Sequence, residues 1–135
     1  MKHFTQILDV TSDEEEQYLN LSFETEECVR KSMVTDGICV VFSQHTTSAV
    51  FLDKDSDELK NDWSALLGGI ARGETQYKVD YTSAGCAHMK QILLGSSVTV
   101  PIIDGKLALG PRQFIMYADF SGCREKHVVV KILGD

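Results

Sequence analysis

The segment GICVVFSQHTTSAVFL, residues 37–52, decides the fold of this chain. Residues 37–43 and 48–52 are rich in β-branched and aromatic side chains, which predicts two strands. Between them stands His45-Thr46-Thr47, so an imidazole and two hydroxyls follow directly on a nearly continuous apolar run. Because rigid elements hold the ends of their connections in place, we interpret this segment as part of a functional site.

Side-chain alternation indicates which of these polar groups act together. In an extended segment, successive side chains point to opposite faces. His45 and Thr47 therefore share one face, while Thr46 and Ser48 share the other. We favour His45 and Thr47 as site residues, and we interpret His3 and His127 as ordinary strand or surface positions.

The rest of the chain is rich in strands and is interrupted by three predicted helices. The first follows a cap at Thr25 and buries Cys28, Val29 and Met33; the last ends at Gly95 and carries His88. The fold class predicted for residues 1–135 is a single-domain α/β sandwich of α+β type, with mixed β-sheets flanked by about three helices. Strands are predicted at 2–10, 18–23, 37–43, 48–52, 97–103, 106–109, 113–120 and 127–133, with a hairpin at Asp104-Gly105, and the face of the second helix is predicted to bury Leu59, Trp63, Leu66, Leu67 and Ile70.

Composition excludes several classes of protein. The 135 residues are 43% hydrophobic and 24% charged, and 13 basic against 20 acidic residues give a formal net charge of −7. Such a field repels polyanions, so no nucleic-acid partner is expected. No apolar run approaches the length of a membrane span, so no membrane partner is expected either. The four cysteines lack a C-x-x-C pair and no signal peptide is recognisable, which predicts reduced thiols and a cytoplasmic location.

Several further stretches occur in a characteristic order. They include Ala87-His88, residues 104–110 with Gln113, and Gly122 with Arg124. Together with His45-Thr46-Thr47-Ser48-Ala49, they resemble the YjbQ-like family, whose members are also called secondary thiamine-phosphate synthases. The resemblance covers nearly the whole chain. It implies a compact α/β sandwich that assembles as a homotrimer.

The resemblance also implies an activity. Members of the YjbQ-like family are expected to join a pyrimidine pyrophosphate ester to a thiazole phosphate with release of pyrophosphate. The predicted partner of this chain is therefore a small phosphorylated molecule. On this interpretation the catalytic residues are His45, His88, Asp119 and Arg124. The predicted ligand-binding residues are Thr47, Lys54, Ser97, Arg112 and Gln113.

A divalent metal, Mg²⁺ or Zn²⁺, is implied as well, with His45, His88 and Asp53 as the predicted ligands. The chain departs from the family pattern near this site. Lys54 replaces a Glu and Arg112 replaces a Trp, and these two cations could bind a phosphate directly in place of a metal. The other departures are Asp53 for Asn, Val79 for His, Asp119 for Glu and Cys123 for Pro.

These departures leave two other functions open. One is a non-catalytic trimeric protein that binds a small anion, a metabolite or a metal. The other is an enzyme that acts on a different phosphoester.

Overall fold

The computed structural model describes residues 1–72, 77–78 and 82–135, and of residues 82–84 the backbone only. Within this part of the chain, no helix is long and apolar enough to cross a membrane. The elements are, in chain order, β1 (Lys2–Thr11), β2 (Gln17–Asn20), α1 (Ser22–Ser32), β3 (Asp36–Ser43), β4 (Ser48–Asp53), α2 (Asp57–Ile70), α3 (Thr82–Leu94), β5 (Ser97–Ile103), β6 (Lys106–Leu107), β7 (Phe114–Asp119) and β8 (Glu125–Gly134).

The described strands form two antiparallel sheets. The larger sheet has the order β1-β8-β3-β5-β6, and the smaller sheet has the order β2-β7-β4. Strand β8 pairs with β1 over ten residues, from Lys2 opposite Gly134 to Thr11 opposite Glu125. In the smaller sheet, Ser48 of β4 lies opposite Asp119 of β7. Two sheets with three helices confirm the predicted α+β sandwich.

The core lies between the two sheets. Val41 and Val130 of the larger sheet are fully buried in the same cluster as Val50 and Tyr117 of the smaller sheet. A second apolar cluster lies on the other face of the smaller sheet, where α2 and α3 cover it. The smaller sheet is therefore buried on both faces, which explains the nearly continuous apolar sequence of β4 and β7.

Turn residues ended several elements where the sequence predicted. Asp104 and Gly105 adopt φ angles of 52° and 77° and join β5 to β6. These positive values are the signature of a tight hairpin turn. Gly95 has a φ of 92° and follows the last residue of α3. Strand β6 ends at Leu107, two residues before the predicted end.

Helix α1 begins earlier than predicted. It starts at Ser22, and the hydroxyl of Thr25 donates to the Leu21 carbonyl at 2.7 Å instead of capping a helix. The side chain of Asn20 accepts from the Ser22 amide at 2.9 Å, so the chain turns where the strand was predicted to continue to residue 23. Met33 was predicted to be buried, which is wrong. It ends the helix in a left-handed conformation and is 71% exposed.

Helix α2 begins where its sequence indicates, but few of its apolar side chains are buried within the single chain. Ser56 caps it by accepting from the Leu59 amide at 3.0 Å. Of the predicted core face only Leu67 is buried, whereas Leu66 is 62% and Ile70 is 61% exposed. Leu67 and the partly buried Trp63 are the residues of α2 that pack against the smaller sheet. Ile92 on α3 is also exposed. The homotrimer implied by the resemblance would cover these exposed apolar side chains. The homotrimer itself stays a prediction.

Replacing Gly69 with Ala should stabilise the protein by about 0.5–1 kcal/mol, since glycine inside a helix loses more backbone entropy than alanine. A Cβ at this exposed helical position would meet nothing within 4 Å. Urea unfolding measures the change. The matched control is Ala65→Gly in the same helix, which should cost a similar amount; two changes of the same sign would contradict the prediction.

Candidate functional site

Three chain connections meet at one end of the sandwich. Residues 44–47 join β3 to β4, residues 120–124 join β7 to β8, and residues 12–16 join β1 to β2. The Phe120 amide donates to the Thr47 carbonyl at 3.0 Å, and the Gly122 amide donates to the Glu15 carbonyl at 2.9 Å. The connections thus hold one another, and their polar side chains are brought together.

A buried ion pair lies at the centre of this end. The ammonium of Lys126 is 2.5 Å from Oδ1 of Asp119, and both side chains are almost fully buried. The Ser12 hydroxyl donates to Asp119 Oδ2 at 2.8 Å, and the Ser121 amide donates to Oδ1 at 3.2 Å. A buried pair persists only when its remaining hydrogen-bonding groups are satisfied in this way. Asp119, which was predicted as catalytic, therefore has both oxygens engaged by the protein.

His45 lies beside this pair in its neutral form. Its Nε2 accepts from the His127 backbone amide at 2.9 Å, which places the ring proton on Nδ1. Desolvation lowers the pKa of His45, and the positive charges of Lys126, His127 and Arg124 lower it further, while Asp119 acts in the opposite direction. His45 is thus neutral at pH 7. Its Nδ1–H has no hydrogen-bond partner among the described residues, so it is available to a ligand.

Thr47 and Arg124 provide two more donors. The Lys126 ammonium, which can only donate, lies 3.3 Å from the Thr47 hydroxyl oxygen and leaves the hydroxyl proton for another acceptor. Arg124 is exposed and uses Nη2 to donate to the Ser121 hydroxyl at 3.1 Å. We call His45, Thr47, Arg124 and the Lys126–Asp119 pair the donor cluster. Its free groups are donors and a cation, the combination that binds anions.

Uncharged hydroxyls lie behind the donor cluster. Ser43 and Ser48 are buried with their oxygens 3.1 Å apart. Burial raises the pKa of Tyr117 to about 12, although the Ser48 and Ser43 hydroxyls are near enough to act in the opposite direction. The Tyr117 oxygen forms no hydrogen bond with the described residues. These three hydroxyls are therefore uncharged at pH 7, and the charge at this end of the sandwich comes from the donor cluster.

The sequence interpretation missed Lys126 and Ser12, and it treated His127, whose backbone amide donates to His45, as an ordinary strand or surface position. Strand β8 begins at Glu125, two residues before the predicted start, and its buried positions alternate through Lys126, Val128 and Val130. Extending that alternation back from Val128 would have placed Lys126 on the buried face. A lysine there needs a carboxylate partner. No comparable signal was present for Ser12.

His88 and Asp53 do not join the donor cluster in the described chain. His88 is half-buried on α3 and forms no hydrogen bond or ion pair with the described residues. Asp53 pairs with Phe114 at the far end of β4, and its oxygens accept from the Trp63 indole at 2.9 Å and the Lys54 amide at 2.7 Å.

The predicted metal ligands His45, His88 and Asp53 are therefore not brought together, since the described residues contain no group in which these three approach one ion. Val79 lies outside the described residues. The described residues of a single chain therefore do not fit the implied metal.

The remaining predicted ligand-binding residues lie elsewhere. Lys54, Arg112 and Gln113 line a surface depression of about 490 Å³ at the far end of β4. The Gln113 side chain accepts from the Gly110 amide at 3.0 Å. Ser97 is exposed and pairs with Phe42 at the start of β5. The structure thus separates the two cations Lys54 and Arg112 from the donor cluster.

The fold and the site define an α+β sandwich with a buried ion pair where three strand connections meet. The family described as UPF0047 protein YjbQ-like matches residues 6–135, so the chain belongs to the YjbQ/UPF0047 family. A UPF0047 protein of Archaeoglobus fulgidus is 34% identical over 118 residues, which cover 87% of this chain and 91% of that protein. One from Methanothermobacter thermautotrophicus is 29% identical, covering 99% and 94%.

Solved structures agree with this assignment. A YbjQ-like protein of unknown function from Sulfolobus solfataricus P2 superposes with a TM-score of 0.94 at 26% identity, covering 99% of each chain. A member of the family from Clostridium acetobutylicum superposes with a TM-score of 0.88 at 30% identity, covering 95% of this chain and 99% of that one. The whole sandwich is therefore shared with these family members.

Proposed function

We propose that this chain binds a small phosphorylated molecule at the donor cluster and acts as a transferase of the thiamine-phosphate synthase type. Its reaction joins a pyrimidine pyrophosphate ester to a thiazole phosphate. One observation carries the proposal: His45 Nδ1–H, the Thr47 hydroxyl and the Arg124 guanidinium lie at the same end of the sandwich as one buried ion pair, and none of the three has a carboxylate partner in the described residues.

The binding step follows from these donors. Pyrophosphate oxygens accept hydrogen bonds from the guanidinium of Arg124, which carries a full positive charge, and from the neutral side chains of His45 and Thr47. Thr47 is held by the ammonium of Lys126, and Lys126 is held by Asp119. In this proposal Asp119 is a positioning residue that acts through Lys126.

The chemical step needs no covalent intermediate on the protein. The thiazole nitrogen attacks the methylene carbon of the pyrimidine, and a new carbon–nitrogen bond forms. The bond between that carbon and the pyrophosphate oxygen breaks, and the oxygen departs with the electron pair. Fixed donors stabilise the charge that develops on this oxygen, and holding both substrates in line lowers the entropic part of the barrier.

The test is isothermal titration of the EDTA-treated protein with pyrophosphate. We expect Arg124→Ala to weaken binding about 10- to 100-fold, because a hydrogen bond to a charged group contributes about 1.5–3 kcal/mol. Thr47→Val should weaken binding less, since a neutral hydroxyl is lost. The matched control is Arg112→Ala, another exposed arginine, which should bind as the wild type does.

Formation of thiamine phosphate from the two substrates then separates catalysis from binding. Wild-type protein should form product, and Arg124→Ala should form less. Pyrophosphate binding without product formation would leave a binding protein and refute the transferase.

A second function, anion binding without turnover, is favoured by the depression that Lys54 and Arg112 share. These two cations replace the Glu and Trp of the family pattern. If pyrophosphate binding is lost in Lys54→Ala and Arg112→Ala and kept in Arg124→Ala, the anion site is this depression. That outcome would also leave open an enzyme that acts on another phosphoester.

A further inference from the structure

Three potential metal ligands lie on the exposed face of the β1–β8 pair. Asp9 lies directly opposite His127, and Glu125 lies two residues before His127 on the same face of β8. Lys126 and Val128 point to the core, so Glu125 and His127 point away from it. Asp9 is exposed between the buried residues Leu8 and Val10, so it points to the same side as His127. One ligand atom from each of Asp9, Glu125 and His127 lies within 4.8 Å of the other two.

The charge of this cluster is unbalanced. Asp9 and Glu125 are both acidic, and within the described chain the Asp9 side chain bonds only to the His127 ring, with its Oδ1 2.9 Å from Nδ1. Glu125 forms neither a hydrogen bond nor an ion pair with the described residues. Both carboxylates project from one rigid strand pair, where like charges destabilise each other. A divalent cation would remove this repulsion.

We infer that Asp9, Glu125 and His127 form a binding site for one divalent cation of the first transition series, with Zn²⁺ as its probe. Imidazole nitrogen suits Zn²⁺ and its neighbours, while Mg²⁺ and Ca²⁺ prefer sites built from oxygen alone. One nitrogen and two carboxylate oxygens supply three protein ligands, which leaves a position for water or another ligand.

This site is distinct from the metal site that the family resemblance implies. It uses neither His45 nor His88 nor Asp53, and none of its three residues belongs to the motifs that carry the resemblance. It lies next to the donor cluster, since the ring centroids of His127 and His45 are 6.1 Å apart. The inference does not depend on the proposed transferase activity.

The experiment is isothermal titration of the EDTA-treated full chain with Zn²⁺ alone. We expect one ion per chain, with binding lost in His127→Asn and Glu125→Gln. Asp9→Asn should weaken binding by about 100-fold or more, because it removes a direct ligand and not only a group that orients one. The matched controls are His3→Asn, an exposed histidine on β1, and Glu58→Gln, an exposed glutamate on α2.

Thermal unfolding gives a second measurement on the same proteins. Zn²⁺ should raise the unfolding temperature of the wild type and of both controls, because an ion that binds only the folded state stabilises it. It should not raise that of His127→Asn. The inference is overturned if the wild type binds no Zn²⁺, or if binding survives in His127→Asn and Glu125→Gln and is lost in His45→Asn or His88→Asn.

Discussion

Replacing Lys126 with Met is expected to lower the free energy of unfolding by about 3–5 kcal/mol, the cost of removing one partner from a buried ion pair. The Asp119 carboxylate, fully inaccessible to solvent, would be left without its cation. Methionine matches the lysine stem in length and fills most of its space, so the loss reflects charge more than packing. Urea unfolding at pH 7 measures it.

Two comparisons isolate this electrostatic cost. Lys131→Met changes an outward-facing lysine on the same strand, and it should cost about 0.5 kcal/mol or less. Among the residues that the structure describes, its ammonium donates only to the Thr5 hydroxyl. The double variant Lys126→Met with Asp119→Asn removes both charges and keeps an acceptor for Ser12. It should recover much of the lost stability. Equal costs for Lys126→Met and Lys131→Met would show that the pair is not buried as described.

Most of the strands were predictable because their signals are local. The apolar run of β3, the alternation of β8 and the Asp-Gly turn between β5 and β6 each act within a few residues of the chain. The start of α1 was not predictable in the same way. Leu19, Leu21 and Phe23 continue the alternation of a strand, and only the side chain of Asn20, which accepts from the Ser22 amide, ends it.

The apolar face of α2 was mispredicted for a different reason. Helical periodicity identifies an apolar face but not what covers it. Leu66 and Ile70 repeat at the spacing of core residues, yet in the single chain they are exposed. The prediction of a helix with an apolar face was correct. The prediction that this whole face is buried was wrong for a single chain.

The candidate site divides along the same line. His45 and Thr47 were placed together on the assumption of an extended segment, whereas Thr46 and Thr47 form a turn in the structure. Asp119 and Arg124 were chosen as a carboxylate and an arginine in one short run, and the structure brings all four residues to one end of the sandwich. Ser12 reaches Asp119 across 107 residues of sequence. That contact depends on the pairing of β1 with β8 and on the turn at Gly122. Because no local sequence pattern indicates it, the contact could not be predicted from the sequence.

Replacing Gly122 with Ala is expected to destabilise the protein by about 3 kcal/mol or more, at the upper end of what overpacking costs. A Cβ at this position would lie 2.0 Å from the Glu14 carbonyl oxygen and 2.4 Å from the Ser12 hydroxyl. The first neighbour is backbone and cannot rotate away. Chemical unfolding of the variant measures the change.

The same substitution should also weaken pyrophosphate binding, because Ser12 connects this turn to the ion pair. The Ser12 hydroxyl donates to Asp119 at 2.8 Å and accepts from the Cys123 amide at 3.1 Å, so moving it disturbs the support of Lys126 and the backbone beside Arg124. Gly110→Ala is the control, since its Cβ would approach no atom closer than 3.6 Å. If both variants unfold and bind alike, the residue 120–124 turn does not pack against residues 12–16. In that case the Ser12 hydroxyl would not donate to Asp119, and the buried Asp119 carboxylate of the donor cluster would lack this hydrogen bond.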